Sequence, residues 1–330
     1  MGKQSSLNGS RLYCPIQTYK DELFFNIVDY RNSRFTSENR DKIIEFYDSF
    51  KDRNDLIEWM KERPNGVANI YEVDGGNDII VVIPTADFNG KYAKECRENI
   101  YKGLHIIFVE SRGRGDFYFN FAHNCNVGIR KAMEYKPKWV VLSNDDMVKI
   151  DEVNKLKYSL LRLDSGKEII VFNCNQGIYH SRLASISTRT LRRKVVLAIK
   201  GMREMRRLSF EKKFGTRYIV GSTLKPYKLI YKTVIQVMYF GSFGIFSSAL
   251  IKKYGWKLFD ETYINGAEDI DLSWRIKQDR IEEECIDYRI GDIIGGTIGP
   301  YNLTRRLRGM VNDCYLNLKI EIGELKLHID

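Results

Sequence analysis

Short apolar runs, separated by polar connections that carry glycine, dominate the chain from residue 78 onward. "DIIVVIP" (Asp78 to Pro84) is a continuous apolar run closed by proline, the pattern of a parallel strand buried on both faces. A polar helix is predicted over Lys91 to Ile100, then a second strand, "HIIFVE", over His105 to Glu110. A Gly-rich loop, Ser111 to Gly115, leads into "NFAHNCNVGIRKAME". There Phe121, Cys125, Ile129 and Ala132 recur at helical spacing, so an amphipathic helix begins near Asn120. The third strand lies in "KWVVLSNDDMV" (Lys138 to Val148), where an apolar run ends in Asn144, Asp145 and Asp146. Buried strands alternating with helices specify an α/β fold: a doubly wound, mainly parallel sheet with helices on both faces. Ligands of such sheets sit at the carboxyl ends of the strands.

The flanks read differently. Residues 1–77 are polar and predict a mainly helical N-terminal extension, with helices over Asp41 to Phe50 and Asp55 to Glu62, the second stopped by Pro64-Asn65-Gly66. Gly75-Gly76-Asn77 marks the change of architecture, so a main domain is expected over 78–300 and a C-terminal tail, packing on or near the active site, over 301–330. Within the main domain, about 180–217 is a basic helical insert in which Lys and Arg far outnumber Glu204 and Glu211, with Val195, Leu197, Ile199 and Met202 interleaved. Such a segment is either a solvated helical face packed on the core or a surface helix that touches anionic lipid or a phosphorylated acceptor. Thr233 to Ile251 carries no charge and is long enough to span a bilayer, yet its Gln236, glycines and serines suit a strand, a turn and a short helix. In "NGAEDIDLSWRIK", Gly266 breaks the chain before Glu268, Asp269 and Asp271, and Leu272 and Ile276 lie one helical turn apart. Acids in a helix's first turn are favoured by its dipole, which is sufficient structural reason for them.

Composition narrows the class without choosing a function. With 330 residues, 43% hydrophobic and 29% charged, the chain has the makeup of a globular protein with an ample core. Its net charge of +10 favours a polyanionic partner: nucleic acid, an anionic membrane surface or a phosphorylated ligand. Six scattered cysteines with no CxxC pair argue against a zinc site and a disulfide framework, and point to a reduced, cytoplasmic compartment. No cleavable signal peptide is read at the start, and the myristoylation-like Met1-Gly2 opening and the sequons at Asn8 and Asn302 are too short to weigh.

Chemistry enters with the acids. Adjacent carboxylates repel, so Asp145 and Asp146 at a buried strand end suggest a cation, and hard oxygen ligands suit Mg²⁺ or Mn²⁺. Strand alternation turns Asn144 and Asp146 one way and Asp145 the other, leaving one acid for a metal and its neighbour for a sugar hydroxyl or ribose. Taken alone, the same residues make a polar turn.

The order of a first strand ending in Pro-Thr, a second ending in an acid plus Ser, "NVGI" on a helix, "LSNDD", and then "LFDETYINGAEDIDLSWR" resembles the family 2 glycosyltransferases of the GT-A fold, over about residues 78 to 280. The resemblance implies transfer of a sugar from a nucleotide diphosphate donor, with inversion, to a glycan, lipid-linked or protein acceptor, with Mn²⁺ or Mg²⁺ as cofactor. It implies Asp146 as metal ligand, with Asn144 where many members carry a first Asp, and Asp145 on the ribose or donor sugar. Pro84 and Thr85 correspond to the start of the nucleoside pocket. Glu110, Ser111 and Arg112 take the place of the family's Asp-Asn-x-Ser, and Glu for Asp there leaves the nucleotide base open. Asn126 matches the helix Asn that lines the donor site, Asp269 the general base and Glu268 its acceptor-binding neighbour.

That assignment agrees with chemical need. Inverting transfer requires a carboxylate to take the acceptor proton and a Lewis acid on the departing diphosphate. Arg305, Arg306 and Arg308 in "YNLTRRLRG" are either a flexible loop that closes over phosphates or a solvated cluster, and "IGDIIGGTIGPYNL" offers no His as a further metal ligand. Two rivals remain. A sugar nucleotidyltransferase would open with a Gly- and Arg/Lys-rich phosphate loop, where "PTADFNGKY" has little of either. A basic nucleic-acid or membrane-binding protein with a degenerate enzyme core would lack metal-dependent nucleotide affinity. Under the transferase reading no nucleic acid is expected, and any membrane contact is peripheral, through the basic insert. A dinucleotide-dependent oxidoreductase is disfavoured because no GxGxxG follows the first strand.

Overall fold

A computed structural model describes residues 30–112, 116–173, 179–185, 213–215, 218–222, 232–239, 241–293 and 303–326. Its elements in chain order are α1 (Arg40–Asp48), α2 (Arg53–Glu62), β1 (Asn69–Val73), β2 (Gly76–Thr85), α3 (Lys91–Glu95, continued by a π-helical turn at Cys96–Ile100) and β3 (Leu104–Glu110). They continue with α4 (Phe121–Glu134), β4 (Trp139–Ser143), β5 (Met147–Lys149), α5 (Val153–Leu160), β6 (Ile169–Asn173), β7 (Tyr179–Ser185), β8 (Tyr218–Ser222) and β9 (Lys232–Tyr239). The last are β10 (Phe243–Ser247), α6 (Ser248–Lys253), α7 (Glu268–Gln278), β11 (Glu282–Ile286), β12 (Ile290–Asp292) and α8 (Leu303–Glu321).

The central sheet has seven strands in the order β1-β3-β2-β4-β10-β6-β11. Strands β2, β3, β4, β6 and β11 run one way, while β1 and β10 oppose them. The protein is therefore α/β with a mostly parallel, mixed sheet. Strand periodicity sorts its side chains onto two faces. On one, Val81, Ile83, Ile106, Phe108 and Val141 pack against α3 and α5. On the other, Ile80, Val82, Ile107, Val109 and Leu142 pack against α4, α6 and α7. Helix α4 starts where Asn120 caps the His123 amide at 3.2 Å. It comes close to the sheet at Gly128, where an added Cβ would lie 2.4 Å from Val82 Cγ1.

Helices α1 and α2 start at side-chain caps from Asn39 and Asp52 and share a core with the 263–274 region and α8: Phe46, Tyr47 and Trp59 lie with Tyr263, Trp274, Met310 and Leu316. Strand β1 precedes Gly75-Gly76 yet joins the main sheet, pairing Asn69 to Val73 with Glu110 to Ile106.

Several expectations need correction. The helical insert over 180–217 is instead a strand where it begins: β7 forms a three-stranded antiparallel sheet with β8 and β9, and residues 186–212 lie outside the described residues. The uncharged stretch from Thr233 supplies most of β9, then β10 and α6, and no helix among the described residues is long and apolar enough to cross a membrane. Arg305, Arg306 and Arg308 are not on a flexible loop but in the first turns of α8, where Arg308 pairs with Glu38 at 3.2 Å and Arg306 with Asp313 at 3.4 Å. Cys285 is disulfide-bonded, whereas Cys96, Cys125 and Cys314 are free and buried.

Candidate active site

The carboxyl ends of β2, β3 and β4 form one continuous edge. Thr85 and Glu110 are register partners, and the Ser111 amide donates to the Thr85 carbonyl at 2.9 Å. Thr85 Oγ1 donates to Asp145 Oδ2 at 2.6 Å, which fixes the first acid after β4 to the end of β2. Glu110 Oε2 accepts the Phe88 amide at 2.8 Å, so this carboxylate shapes the loop after β2. Tyr101 donates to Ser143 Oγ at 2.7 Å, and that hydroxyl donates to the Asn144 carbonyl at 2.8 Å. The Asn144 amide is tied to the Ser242 carbonyl at 2.9 Å, and the Asp146 carbonyl accepts from the Ile293 amide at 2.9 Å. The acid turn is thus held by backbone and hydroxyl groups from the neighbouring strands and from the α3 side of the sheet, and Asp145 and Asp146 are both buried. Burial, and then the charge of Asp145, pushes the neighbouring Cys96 thiol up, so it stays neutral. Arg112 is exposed beside this edge.

The second acid group reaches the same edge by topology. Helix α7 leads into β11, which runs parallel to β6, so its N-terminus lies at the carboxyl end of the parallel strands, beside that of α4 on the same face. The turn before it is unusual: Asn265 has φ 52° and Ala267 has φ 70°, left-handed conformations that cost a non-glycine residue about 1 kcal/mol. Gly266, expected to break the chain, is not among the positive-φ residues. Glu268 and Asp269 follow, and Glu268 Oε2 is buried without a hydrogen-bond partner. Burial raises both carboxyls, and the charge of Asp269 raises Glu268 further. Burial raises the Cys125 thiol on α4, and the charge of Glu268 raises it further.

A polar framework fixes this turn. Asn126 is fully buried, and its amide is committed to the loop before α7: Nδ2 donates to the Phe259 carbonyl at 2.8 Å and to Glu261 Oε1 at 2.9 Å, while Oδ1 accepts the Phe259 amide at 3.1 Å. His123 Nδ1 lies 2.9 Å from Glu261 Oε2. Burial alone would raise Glu261, but the hydrogen bonds from His123 and Asn126 and the nearby Lys257 charge bring it down to about 2. From α8, Asn312 makes paired 2.9 Å bonds to the amide and carbonyl of Ile264. Lys319 Nζ lies 2.7 Å from Asp271 Oδ2 and 3.1 Å from Asp260 Oδ2. Burial would lower the Lys319 ammonium, but Asp271 and Asp260 hold it well above its usual range.

Of the residues selected from sequence, Pro84, Thr85, Glu110, Ser111, Asn144, Asp145 and Asp146 are contiguous at the sheet edge, and Glu268 and Asp269 border the same edge on α7. Asn126 faces the 259–261 loop. Sequence reasoning missed Asp292, which β12 places opposite Met147 and whose Oδ2 accepts from Ser242 Oγ at 3.1 Å, beside the acid turn. It also missed Asn312 and Lys319, whose signal was present: polar side chains on the otherwise apolar stripe of "MVNDCYLNLKI". Among the described residues, no group of three or more His, Cys, Asp and Glu is arranged to hold a metal ion. No family model matches the chain, and no curated protein is significantly similar to it.

Proposed function

We propose that the protein is a nucleotide-sugar-dependent, inverting glycosyltransferase of GT-A type. One observation carries the reading: two adjacent carboxyls whose proton affinity burial raises, Glu268 and Asp269, begin a helix at the carboxyl end of the parallel strands, the end where the buried acids follow β4. Burial keeps both near the range in which a carboxyl can exchange a proton in a reaction. Asp269, at the position the resemblance gives to the general base, takes the proton of the acceptor hydroxyl as the hydroxyl oxygen bonds to the anomeric carbon. The bond to the diphosphate oxygen breaks, and the diphosphate leaves with the electron pair. Glu268, its neighbour, orients the acceptor by hydrogen bonding.

Among the described residues, the donor set beside the acid turn is carboxylate oxygen with a neutral thiol and no imidazole, which fits Mg²⁺ or Mn²⁺. Magnesium commonly takes only one or two protein carboxylates, with substrate phosphates and water completing its shell. Asp146 would hold it, and the ion would stabilise charge on the departing diphosphate. Thr85 and Ser111, with Asp145, would orient the nucleoside and its sugar. Glycan, lipid-linked and protein hydroxyls all remain acceptors of the right chemistry. The basic 180–217 segment would recruit the enzyme to an anionic surface; unchanged pelleting on anionic vesicles after Arg192, Arg193 and Lys194 are changed to Glu would remove that part.

The decisive experiment is a thermal-shift panel of UDP, GDP, dTDP and CMP, with and without Mn²⁺, on the wild type and on Asp146→Ala. A metal-dependent rise with one nucleotide, absent in the variant, supports the reading and names the donor class. No rise with any nucleotide would favour a basic binding protein instead.

A further inference from the structure

Lys319 is an unusual residue to find at 2% exposure in the last turn of a helix packed on a core. A buried ammonium persists only where carboxylates compensate its lost hydration. Three are present: Asp271 at 2.7 Å, Glu324 at 2.9 Å and Asp260 at 3.1 Å. Two of them bracket the candidate catalytic turn. Asp260 adjoins Glu261, whose carboxylate receives His123 and Asn126 of α4. Asp271 lies on α7 just after Asp269, and Arg275 holds its other oxygen at 2.7 Å. Between them are the left-handed residues Asn265 and Ala267, a conformation that persists only when its surroundings over-determine it. On the same stripe of α8 as Lys319, Tyr315 donates to Asp260 at 2.9 Å and Asn312 clamps both backbone groups of Ile264.

The opposite side of α8 is anchored to the N-terminal helices. Tyr47 donates to the Leu307 carbonyl at 2.5 Å, Arg53 pairs with Glu321 at 2.7 Å, and Leu307, Met310, Val311 and Cys314 share a core with α1 and α2. We propose that Lys319 is a positioning residue: with Asn312, it holds the strained 260–271 turn that presents Glu268 and Asp269. Helices α1 and α2 then serve the site through α8, which gives the N-terminal extension a function. The kinetic consequence rests on the glycosyl-transfer reading, whereas the holding of the turn rests on geometry alone.

The test uses the full chain and three variants: Lys319→Met, the charge-balanced Lys319→Met/Asp260→Asn, and the conservative Lys319→Arg. The double variant leaves no Asp260 charge uncompensated, so it carries the test if Lys319→Met does not fold. Amide hydrogen exchange is followed in residues 264–271 and in β2, together with kcat and KM for the donor. The expected result for the double variant is about tenfold or faster exchange in 264–271, with β2 protection changed less than about twofold. Its kcat falls by about tenfold or more while the donor KM stays within about twofold, and Lys319→Arg recovers part of the loss. Unchanged protection in 264–271 would overturn the proposal, as would equal loss in the turn and in β2, which marks a merely structural residue. Should the wild type transfer sugar from no donor, the glycosyl-transfer reading fails and the exchange measurement decides the positioning role by itself.

Discussion

Thr85 Oγ1 and Asp145 Oδ2 are 2.6 Å apart, a hydrogen bond that joins the end of β2 to the acid turn after β4 across the parallel ladder. Both residues are buried, so the hydroxyl stabilises a carboxylate that water reaches poorly. Thr85→Val keeps the shape and removes the donor. It is expected to lose about 1.5–3 kcal/mol of stability, the range for a hydrogen bond to a charged group, with Thr85→Ser losing much less. Urea unfolding of the two variants checks this; equal midpoints would show that the bond contributes nothing.

Asp269 and Asp146 should separate chemistry from binding. Asp269→Asn is expected to retain metal-dependent nucleotide affinity while kcat falls by about 10²–10⁴, the usual contribution of a general base. Asp146→Ala should lose the nucleotide affinity itself. Because burial raises the Asp269 carboxyl, the acid limb of the wild-type rate profile should lie above that of an ordinary aspartate. Normal turnover by Asp269→Asn would remove it from the reaction.

Glu268 should cost stability as pH rises. Its affinity for protons is higher in the folded chain, so through the window from the ordinary carboxylate range upward the folded state holds more protons than the unfolded one. Stability therefore falls with rising pH across that window and levels off above the raised folded value. Glu268→Gln removes the effect, so its advantage over the wild type should be small in acid and grow toward neutral and alkaline pH. Melting curves at a series of pH values read this directly, and an advantage independent of pH would contradict it.

Glu261 carries the opposite sign. Its carboxyl is held down from 4.5 to about 2, so its contribution is complete above the unfolded value and is lost as pH falls through the folded one. Glu261→Gln should flatten the acid side of the stability curve between those limits. His123→Ala should do part of the same, since it removes one donor to that carboxylate. Acid-unfolding profiles that superimpose on the wild type would show that the pair is not coupled to folding.

The chain's local chemistry was enough to locate β2, β3, β4 and the start of α4. Their signals are short-range: an apolar run stopped by Pro84, a capping Asn120, and Cys125 and Ile129 one turn apart. The two acid groups were legible for the same reason, since charge at the end of a buried run is visible without a partner. Antiparallel β10 was not legible as a member of the sheet, because strand pairing is chosen by residues a hundred positions away: Phe243 opposes Ser143. Nor did the sequence say that Asn126 would bond Phe259 and Glu261, or that Lys319 would reach back to Asp260 and Asp271. An amide or an ammonium in an apolar stripe announces only that it needs a partner. Which partner it finds is decided by the packing of α4, α7 and α8, because only there do the distances close and the buried charges cancel.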